Sequence, residues 1–473
     1  MAQDTELPAG RGYGATLSTP GDADIERARI TDYRRWLAGQ RGVDTGGSGA
    51  GYSRLWQWSV DQPAEFWSSI WDYFGVLGTR GDGPVLAGGP MPDVTWFSGT
   101  TLNYARNALR AASTDPDRTA IIYRSEAGHD GSLSYGELDR QVAMLRAALV
   151  DLGVTRGDRV AAYLPNSPQA LIGLLATASL GAIWTSCSPD FGAHAVIDRF
   201  AQVTPKVLIA VDGYVYGGKT FDRQEEVAAI TAALPGLGSV IMVDYIGTAG
   251  GHPALPVPTT AWAGLVSPVG SGAGPGAGDA TAATLRTEFD EVPFDHPLWV
   301  LYSSGTTGLP KPIVHGHGGI VLEHLKALCL HQDIGKDDIF FWYTTTGWMM
   351  WNYLMGGLLA GATVVAYDGS AVHPGTDALW RLAAQAGVTY FGTGAPYLVT
   401  CMKAGLRPAA EHDLSQLRGV GSTGSPLPPE GFDWVYEAVS PQRERGQQPS
   451  HRRSFVLGSF SGGTDMCTGF VGP

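Results

Sequence analysis

Short apolar runs alternate with segments of helical periodicity along most of this chain, from about residue 120 onwards. Ala120 to Tyr123 and Val160 to Leu164 are apolar runs of the kind that forms buried strands. Between them, Ser134 and Glu137 have the spacing of a helix capping box. Apolar residues then recur at helical intervals as far as Gly153, at Leu138, Val142, Leu145, Leu149 and Leu152. Units of this kind predict a parallel, doubly wound sheet.

The same alternation predicts two series of strands and helices, separated by a stretch rich in Gly, Ala and Pro. In the first series, further strands are expected at 182–186, 207–211 and 239–245, and further helices at 194–203 and 223–233. In the second series, strands are expected at 339–344, 363–367, 388–391, 418–421 and 454–459, and helices at 318–331, 351–360, 376–386, 396–404 and 429–438. Because ligands bind at the carboxyl ends of strands in such sheets, we expect the functional residues there.

Changes in composition along the 473 residues predict four regions. Residues 1–110 are expected to form an N-terminal cap, since aromatic side chains crowd the stretch from Tyr52 to Phe74. Residues 111–266 are expected to form a first α/β subdomain, and residues 285–473 a second. Between them, residues 267–284 contain almost no large apolar side chains, which predicts a flexible surface loop.

The composition also narrows the class of partner and the compartment. A net charge of −13 argues against a nucleic-acid surface, so an anionic substrate would need a local positive patch. The N-terminus lacks the apolar core of a signal peptide, and the longest apolar segments fall short of a membrane span. We therefore expect a cytoplasmic protein with small-molecule partners, while the oligomeric state stays open. The cysteines are widely spaced without a CxxC pair, which argues against a zinc site or a disulfide scaffold: Cys187, Cys329, Cys401 and Cys467.

Residues 301–319, LYSSGTTGLPKPIVHGHGG, carry the clearest candidate chemistry. Glycines let backbone N–H groups approach an anion, hydroxyls add donors, and a lysine supplies a mobile positive charge. The Walker pattern does not fit, because Gly305 and Gly308 are only three apart and Pro312 follows Lys311. A plain turn between a strand and a helix, with a solvated lysine, is the alternative. The phosphate-binding residues that we predict are Ser303, Ser304, Gly305, Thr306, Thr307, Gly308 and Lys311.

This loop resembles the phosphate loop of the adenylate-forming acyl-CoA synthetases, and other motifs of that family follow in the expected order. The WF–LNYA segment within residues 91–109 is similar to one in the family, although Arg106 stands where Glu is usual. Thr101 is a candidate cap for the helix expected in this segment. The resemblance extends from Trp56 to Val471. It implies the family's large domain, an α/β fold with two doubly wound, mostly parallel sheets, helices packed between them and a smaller β subdomain.

Two later turns complete the nucleotide site that the resemblance implies. Residues 421–427 resemble the adenine-binding turn, and residues 461–465 resemble the segment in which a threonine contacts the α-phosphate and an acid holds Mg²⁺. Taken alone, a Gly/Pro turn is weak evidence, and a Thr-Asp pair after a strand is more often a turn or a helix cap. The family implies Thr306, Lys311 and Thr464 as catalytic residues and Asp465 as the metal ligand. It adds these residues to the ATP/AMP site: Gly424, Ser425, Pro426, Gly463, Thr464 and Asp465.

Residues 340–362 resemble the family's acyl-pocket segment. The plainer interpretation is an aromatic strand, a glycine turn and a packed helix with Trp348 in the core. Acetate-activating members usually carry tryptophan where this chain has Gly462, so the resemblance implies a longer acyl pocket. On that basis Gly462→Trp should shift activity from acetoacetate to acetate. The acyl-pocket residues that we predict are Trp348, Met349, Met350, Asn352, Thr423 and Gly462, with Asn352 or Thr423 donating to a 3-oxo oxygen.

Two further segments resemble the family's contacts to coenzyme A. Residues 189–193 and 216–219 correspond to contacts with the nucleotide end of coenzyme A, which implies Phe191, Gly192 and Lys219. A helix-entry turn and an unremarkable loop lysine are the alternative interpretations.

Within the family, the WF–LNYA, phosphate-loop and SGGTD segments look most like those of members that activate acetoacetate. The resemblance therefore implies an ATP-dependent acid–CoA ligase that uses ATP, Mg²⁺ and coenzyme A through an acyl-adenylate. Two alternatives stay open: another short or medium acyl acid, and a non-catalytic adenylate-binding module. The chain stops at Pro473, where family members continue into a hinge and a C-terminal lid with a catalytic lysine. With that lid absent, we expect impaired thioester formation by these residues alone.

Overall fold

The computed structural model describes residues 16–46, 51–248, 254–266, 285–303, 308–441 and 454–472. Its N-terminal part packs aromatic rings of successive helices together, such as Tyr33 against Tyr73 with ring centroids 5.0 Å apart. Tyr33 and Leu37 are fully buried in the same core as the main body, so the cap is continuous with it. The helices of this part are α1 (Asp22–Arg27), α2 (Arg29–Arg41), α3 (Gly51–Asp61) and α4 (Pro63–Phe74).

Short elements connect the cap to the main body. They are β1 (Gly78–Thr79), β2 (Leu86–Gly88), β3 (Val94–Trp96), β4 (Thr101–Leu102), α5 (Tyr104–Ala108) and α6 (Ala111–Thr114). Helix α5 is capped by Asn103, whose side chain accepts the Ala105 N–H at 2.9 Å. Thr101, a candidate cap by sequence, instead lies in β4 and donates its hydroxyl to Glu291 at 2.6 Å. The helix therefore begins later than the sequence pattern indicates, after a strand residue.

The first α/β series follows the predicted order. It comprises β5 (Thr119–Ser125), β6 (Gly131–Ser134), α7 (Tyr135–Asp151), β7 (Arg159–Tyr163), α8 (Pro168–Ser179), β8 (Ile183–Cys187), α9 (Ala193–Phe200), β9 (Val207–Val211), β10 (Gly213–Tyr216), β11 (Lys219–Asp222), α10 (Gln224–Ala233), β12 (Ser239–Val243), β13 (Thr259–Ala261) and α11 (Trp262–Leu265). Ser134 caps α7 by accepting the Glu137 N–H at 3.2 Å. The Glu137 carboxylate binds Arg140 and Gln141, so it is engaged along the helix.

The second series contains the candidate site. It comprises β14 (Val292–Pro293), β15 (Pro297–Ser303), β16 (Lys311–Gly316), α12 (His317–Leu325) with a π-helical extension Lys326–His331, β17 (Ile339–Trp342), α13 (Met349–Met355) with a 3-10 turn Gly356–Leu358, β18 (Thr363–Asp368), α14 (Ala378–Ala386), β19 (Tyr390–Gly394), α15 (Ala395–Lys403), α16 (Pro408–Glu411), β20 (Gly419–Thr423), α17 (Pro429–Trp434) with a π-helical extension Val435–Val439, β21 (Val456–Ser459), β22 (Ser461–Gly463) and β23 (Thr468–Val471).

The described residues form two seven-stranded sheets, which confirms the predicted fold class. The strand order of the first is β13-β12-β9-β7-β8-β15-β16, and that of the second is β21-β20-β19-β17-β18-β5-β6. All neighbours run parallel except the edge pairs β15–β16 and β5–β6. Smaller β structure consists of a three-stranded sheet β1-β4-β14 and the pairs β2–β3, β10–β11 and β22–β23.

The two sheets exchange strands across the predicted subdomain boundaries. β5 and β6, in the first predicted subdomain, belong to the second sheet, while β15 and β16, in the second, belong to the first. The proposed limits at 111–266 and 285–473 therefore do not coincide with the sheets. Periodicity identifies strands, but it does not say which sheet each strand joins. The predicted loop 267–284 lies outside the described residues.

Helix α13 lies between the sheets and is buried along its whole length. Trp351 stacks on Trp184 of β8 at 6.4 Å, and its Nε1 donates to Asn166 at 3.0 Å. Tyr353 packs against Trp342 of β17 at 6.2 Å. The helix is thus held by both sheets, which fixes the position of its first turn. Across the described ranges, every helix is too short or too polar to cross a membrane.

Candidate active site

A cleft of about 500 Å³ opens at the carboxyl end of β20, beside the first turn of α13. Three segments line it: the start of α13, the turn after β20, and the β22–β23 hairpin with the residues before it. Carboxyl ends of strands are where such sheets bind ligands. The lining residues are Trp348, Met349, Met350, Tyr353, Thr423, Gly424, Ser425, Pro426, Ser459, Phe460, Ser461, Gly462, Gly463, Thr464, Thr468, Gly469 and Val471.

The cleft brings together residues that the sequence assigns to two different tasks. The acyl-pocket candidates on its wall are Trp348, Met349, Met350, Thr423 and Gly462, and the nucleotide candidates are Gly424, Ser425, Pro426, Gly463 and Thr464. One cavity therefore has an apolar methionine wall and a polar wall of turns. This arrangement suits a molecule with an acyl part joined to a nucleotide.

Asn352 is not on the wall of this cleft. It is fully buried in α13, and neither polar atom of its amide has a hydrogen-bond partner among the described residues. Trp348, Met349, Met350 and Tyr353 line the cleft from this helix, whereas Asn352 is buried behind that surface. The donor role predicted for Asn352 stays a prediction, and its place away from the cleft wall does not favour it.

The phosphate-loop candidates are only partly described. Ser303 ends β15 and Lys311 begins β16, and these two residues are paired across the antiparallel strands. Lys311 and Gly308 are exposed. Ser304, Gly305, Thr306 and Thr307 lie outside the described residues. The structure thus adds that Lys311 is carried on an edge strand, where the sequence pattern indicates a loop.

Two buried histidines hold the turn that carries Thr464 and Asp465. His315 of β16 donates from Nε2 to the Asp465 carbonyl at 3.0 Å, and His324 donates from Nε2 to the Cys467 carbonyl at 3.0 Å. A carbonyl oxygen only accepts, so both imidazoles carry their proton on Nε2. Burial lowers the pKa of His315, and it lowers the pKa of His324 to about 4. The rings are therefore neutral donors near neutral pH.

The turn is also closed by its own backbone. The N–H groups of Met466 and Cys467 donate to the Gly463 carbonyl at 3.2 and 3.1 Å, and Cys467 adopts a left-handed φ of 53°. Asp465 is exposed on this turn. Within the described ranges there is no cluster of three or more His, Cys, Asp or Glu residues that could hold a metal. Any metal here would need substrate oxygens to complete its coordination.

The buried histidines predict a pH-dependent stability. Burial lowers the pKa of His317 to about 3 and of His331 to about 4, as it does for His324. Their contribution is complete above about pH 6.5 and is lost as the pH falls towards 4, because only the unfolded chain then binds the proton. The free energy of unfolding, from urea titrations at pH 7, 6 and 5, is expected to fall by up to ~1.4 kcal/mol per pH unit per histidine.

His324→Gln tests how much one histidine contributes to the pH dependence of the free energy of unfolding. A glutamine amide can still donate to the Cys467 carbonyl, but it does not titrate. The slope of unfolding free energy against pH should become shallower in this variant. His194→Gln serves as the control, since the His194 side chain is 92% exposed. Equal slopes for wild type and His324→Gln would contradict the assignment.

Gly462 lies where the hairpin strands approach each other closely. A Cβ at this position would collide with the Thr468 carbonyl oxygen and would lie 2.7 Å from Gly469 Cα. Both are backbone atoms of β23, and the pairing of Gly462 with Gly469 holds them in place. Gly462 does line the cleft, but the close approach of the hairpin strands requires a glycine at this position. That a tryptophan at 462 would refill the acyl pocket stays a prediction, and the close approach of the strands argues against it.

A second cavity of about 360 Å³ lies on the other side of the loop 343–350. Asp190 and Tyr216 line it; Asp190 directly precedes Phe191, and Tyr216 pairs with Lys219. The Phe191 carbonyl accepts the Tyr163 hydroxyl at 2.7 Å. The coenzyme A candidates Phe191, Gly192 and Lys219 are not themselves among the residues that line this cavity, so their role stays a prediction. Gly192 caps α9, and Lys219 is exposed on β11.

The second cavity has a polar wall. Burial raises the pKa of the Asp368 carboxyl to about 7, and Tyr245 donates its hydroxyl to it at 2.9 Å. Asn166 accepts from Trp351, while its Nδ2 has no partner among the described residues. The loop between the cavities contacts Phe191 closely, since a Cβ on Gly347 would lie 3.0 Å from the Phe191 ring. One loop therefore separates the two cavities.

Sequence reasoning missed the two anchoring histidines and Thr468. His315 stands inside the phosphate-loop stretch, where the repeated HGHGG pattern was a visible signal. His324 and Thr468 carry no local signal, because their roles depend on contacts with residues distant in sequence or on a cavity.

Comparison with known proteins agrees with this geometry. A model of the AMP-binding enzyme family matches residues 109–445, and a model of the acetyl-coenzyme A synthetase N-terminus matches residues 52–108. The solved acetoacetyl-CoA synthetase from Streptomyces lividans is similar with 48% identity and a TM-score of 0.85, covering 96% of this chain and 65% of that one. It has the same two-sheet architecture that the sequence pattern predicts.

Curated relatives are similar over nearly the whole chain. An acetoacetyl-coenzyme A synthetase of Rhizobium meliloti (strain 1021) is 41% identical, covering 96% of this chain and 65% of the relative. A malonamoyl-CoA synthetase of Penicillium aethiopicum is 35% identical, covering 89% of this chain and 58% of the relative. The chain thus spans less than two thirds of the length of these proteins. Since the family model matches well over half of its residues, the chain belongs to the AMP-binding enzyme family.

Proposed function

We propose that this chain is the nucleotide- and acyl-binding part of an ATP-dependent ligase that joins acetoacetate to coenzyme A. The observation that carries the proposal is the single cleft in which the methionine wall, the 423–426 turn and the 461–464 segment meet. The proposal is supported by similar proteins that are named acetoacetyl-CoA synthetases. The net charge of −13 and the buried free cysteines favour a cytoplasmic protein with small-molecule partners.

In the first step, a carboxylate oxygen of acetoacetate attacks the α-phosphorus of ATP, and pyrophosphate leaves. We assign the β- and γ-phosphates to the loop 303–308 and Lys311, and the α-phosphate to the Thr464 hydroxyl. The adenine would lie along Gly424 to Pro426. These groups act by positioning the reactants and by neutralising charge that develops on the phosphate oxygens.

The residues present fit a magnesium ion that is shared with the substrate. Mg²⁺ in nucleotide sites is often held by one or two carboxylates together with phosphate oxygens and water. Asp465 offers one exposed carboxylate on a turn whose carbonyl is fixed by His315. Mg²⁺, when bound, supplies charge neutralisation at the phosphates. Asp465 would hold it beside Thr464.

In the second step, the thiolate of coenzyme A attacks the acyl carbonyl of the adenylate, and AMP leaves. We assign the nucleotide end of coenzyme A to Phe191, Gly192 and Lys219 next to the second cavity. The thiol would reach the acyl group past the loop 343–350, which borders both cavities. Gly347 of this loop lies close to the Phe191 ring, so the loop is next to the proposed coenzyme A residues.

A substrate panel tests the proposal. Acetoacetate, acetate, butyrate and malonamate are offered with ATP, Mg²⁺ and coenzyme A. Pyrophosphate release and thioester formation are measured for this chain and for a version extended to the length of its relatives. The extended version should prefer acetoacetate to acetate and butyrate by at least about tenfold in kcat/KM, as expected for a site that binds a polar substrate group. We expect this chain alone to be slower than the extended version by roughly 10²–10³-fold, the range for loss of a charge-stabilising group.

The other outcomes are equally informative. Preference for acetate or butyrate would contradict acetoacetate as the substrate and leave the ligase class standing. Nucleotide binding without pyrophosphate release in either version would favour the non-catalytic adenylate-binding module. Full-rate thioester formation by the chain alone would contradict the expected impairment.

A further inference from the structure

Thr468 lines the acyl-nucleotide cleft, and its hydroxyl is unsatisfied. It is the first residue of β23 and pairs with Gly463 across the hairpin. The residue is 7% exposed, and its Oγ1 is buried without a hydrogen-bond partner among the described residues. Buried hydroxyls in native proteins almost always have a partner, because an unpaired one has lost its water without compensation. A cleft-lining hydroxyl in this state points to a partner on the ligand.

Two other hydroxyl groups of the cleft already donate to protein acceptors. The Thr423 hydroxyl donates to the Phe460 carbonyl at 3.1 Å, and the Tyr353 hydroxyl donates to Gln332 at 3.0 Å. Asn352 is not among the residues that line the cleft. Ser425 and Ser461 are exposed at the rim, where water can bind them. Among the described residues that line the cleft, Thr468 is therefore buried and still has a hydroxyl without a hydrogen-bond partner.

The position of Thr468 suits the acyl part of the substrate. Thr464 and Thr468 stand at the two ends of one turn, and we assign Thr464 to the α-phosphate. Gly462 adds no side chain between Thr468 and the cleft, while Met349 and Met350 provide an apolar wall. An acid that has its carboxylate at the phosphate, a carbonyl at the third carbon and a small apolar end matches this order of groups.

We propose that Thr468 selects 3-oxo carboxylic acids by donating its hydroxyl to the carbonyl oxygen on the third carbon. This inference rests on the proposed function, because it assumes that the cleft binds the acyl-adenylate. Two similar proteins are named for acetoacetyl and malonamoyl groups, which share this carbonyl and differ at the end of the chain. Acids without the carbonyl, such as butyrate, leave the buried hydroxyl unpaired and are rejected for that reason.

The test compares Thr468→Val, which removes the hydroxyl at constant shape, with Thr468→Ser, which keeps it. The readouts are kcat/KM for acetoacetate and butyrate in the extended version, and binding of acetoacetyl and butyryl sulfamoyl-adenosine to this chain by calorimetry. Thr468→Val should weaken binding of the acetoacetyl compound by about 10- to 100-fold and lower kcat/KM for acetoacetate by the same factor. Binding of the butyryl compound and kcat/KM for butyrate should stay level or rise. Thr468→Ser should keep at least about a third of the wild-type preference.

The outcomes separate this inference from the proposed function. An unchanged acetoacetate-to-butyrate ratio in Thr468→Val, or an equal loss of both acids, overturns the role of Thr468 alone. A wild-type protein that fails to distinguish acetoacetate and malonamate from butyrate overturns the proposed function together with it. If Thr468→Val does not fold, as judged by circular dichroism, Thr468→Ala must show the same loss of ratio.

Discussion

Gly462→Trp is expected to destabilise the β22–β23 hairpin and to abolish activation of acetate and acetoacetate alike. The cause is steric, because the first side-chain atom already collides with the Thr468 carbonyl and comes within 2.7 Å of Gly469 Cα. Neither backbone atom can rotate away without breaking the pairing of the strands. Forcing extra atoms into a packed position costs about 1–3 kcal/mol or more. The measurements are the thermal unfolding midpoint and pyrophosphate release with both acids.

Gly463→Ala is the matched control for stability. A Cβ there would meet nothing nearer than the Asp465 carboxylate at 4.0 Å, so its unfolding midpoint should stay close to that of the wild type. A stable Gly462→Trp variant that exchanges acetoacetate for acetate would contradict the close strand approach. It would also support the prediction that a tryptophan at position 462 selects the acid by shortening the acyl pocket.

Lys311→Ala is expected to weaken ATP binding by about 10- to 100-fold, the range for losing a hydrogen bond to a charged group. AMP binding should change by less than about threefold, because we assign the lysine to the outer phosphates, which AMP lacks. Lys311 is exposed at the start of an edge strand, so the substitution removes little packing. Titration calorimetry with both nucleotides measures the difference.

Lys403→Ala is the control for loss of one positive charge, since Lys403 is exposed at the end of α15, far along the chain from the loop. Its nucleotide affinities should match those of the wild type. Equal losses of ATP and AMP affinity in Lys311→Ala would show that the lysine supports the fold of the site and not the outer phosphates.

The elements of this fold are readable from the sequence because their signals are local. The apolar run at Val160 to Leu164 and the helical periodicity after Ser134 each report on neighbours within a few residues. The pairing of these strands into sheets cannot be read from local signals, since β5 pairs with β18 more than two hundred residues away. Thr101 illustrates the same limit, because its partner Glu291 is 190 positions distant, and the cap falls to Asn103.

The residues of the candidate site likewise divide into those that local motifs identify and those that depend on contacts distant in sequence. Motifs at Trp348 to Met350 and at Thr423 to Pro426 lie at or shortly after the carboxyl ends of strands, so their meeting in one cleft could be expected from the sheet topology. The packing at Gly462 could not, since it depends on the backbone of the opposite strand. The positions of Asn352 and Thr468 could not be predicted either, since Asn352 is buried away from the cleft wall and Thr468 of the hairpin lines it.

The central claim is that one cleft holds the acyl-adenylate between the methionine wall, the adenine turn and the β22–β23 hairpin. A crystal structure of this chain with acetoacetyl sulfamoyl-adenosine, a hydrolysis-resistant mimic, tests it most directly. We expect the adenine beside Gly424 to Pro426 and the acetoacetyl group between Met350 and Thr468, within the cavity of about 500 Å³. Density for the compound in the second cavity, or an acyl group pointing away from Met349 and Met350, would contradict the account.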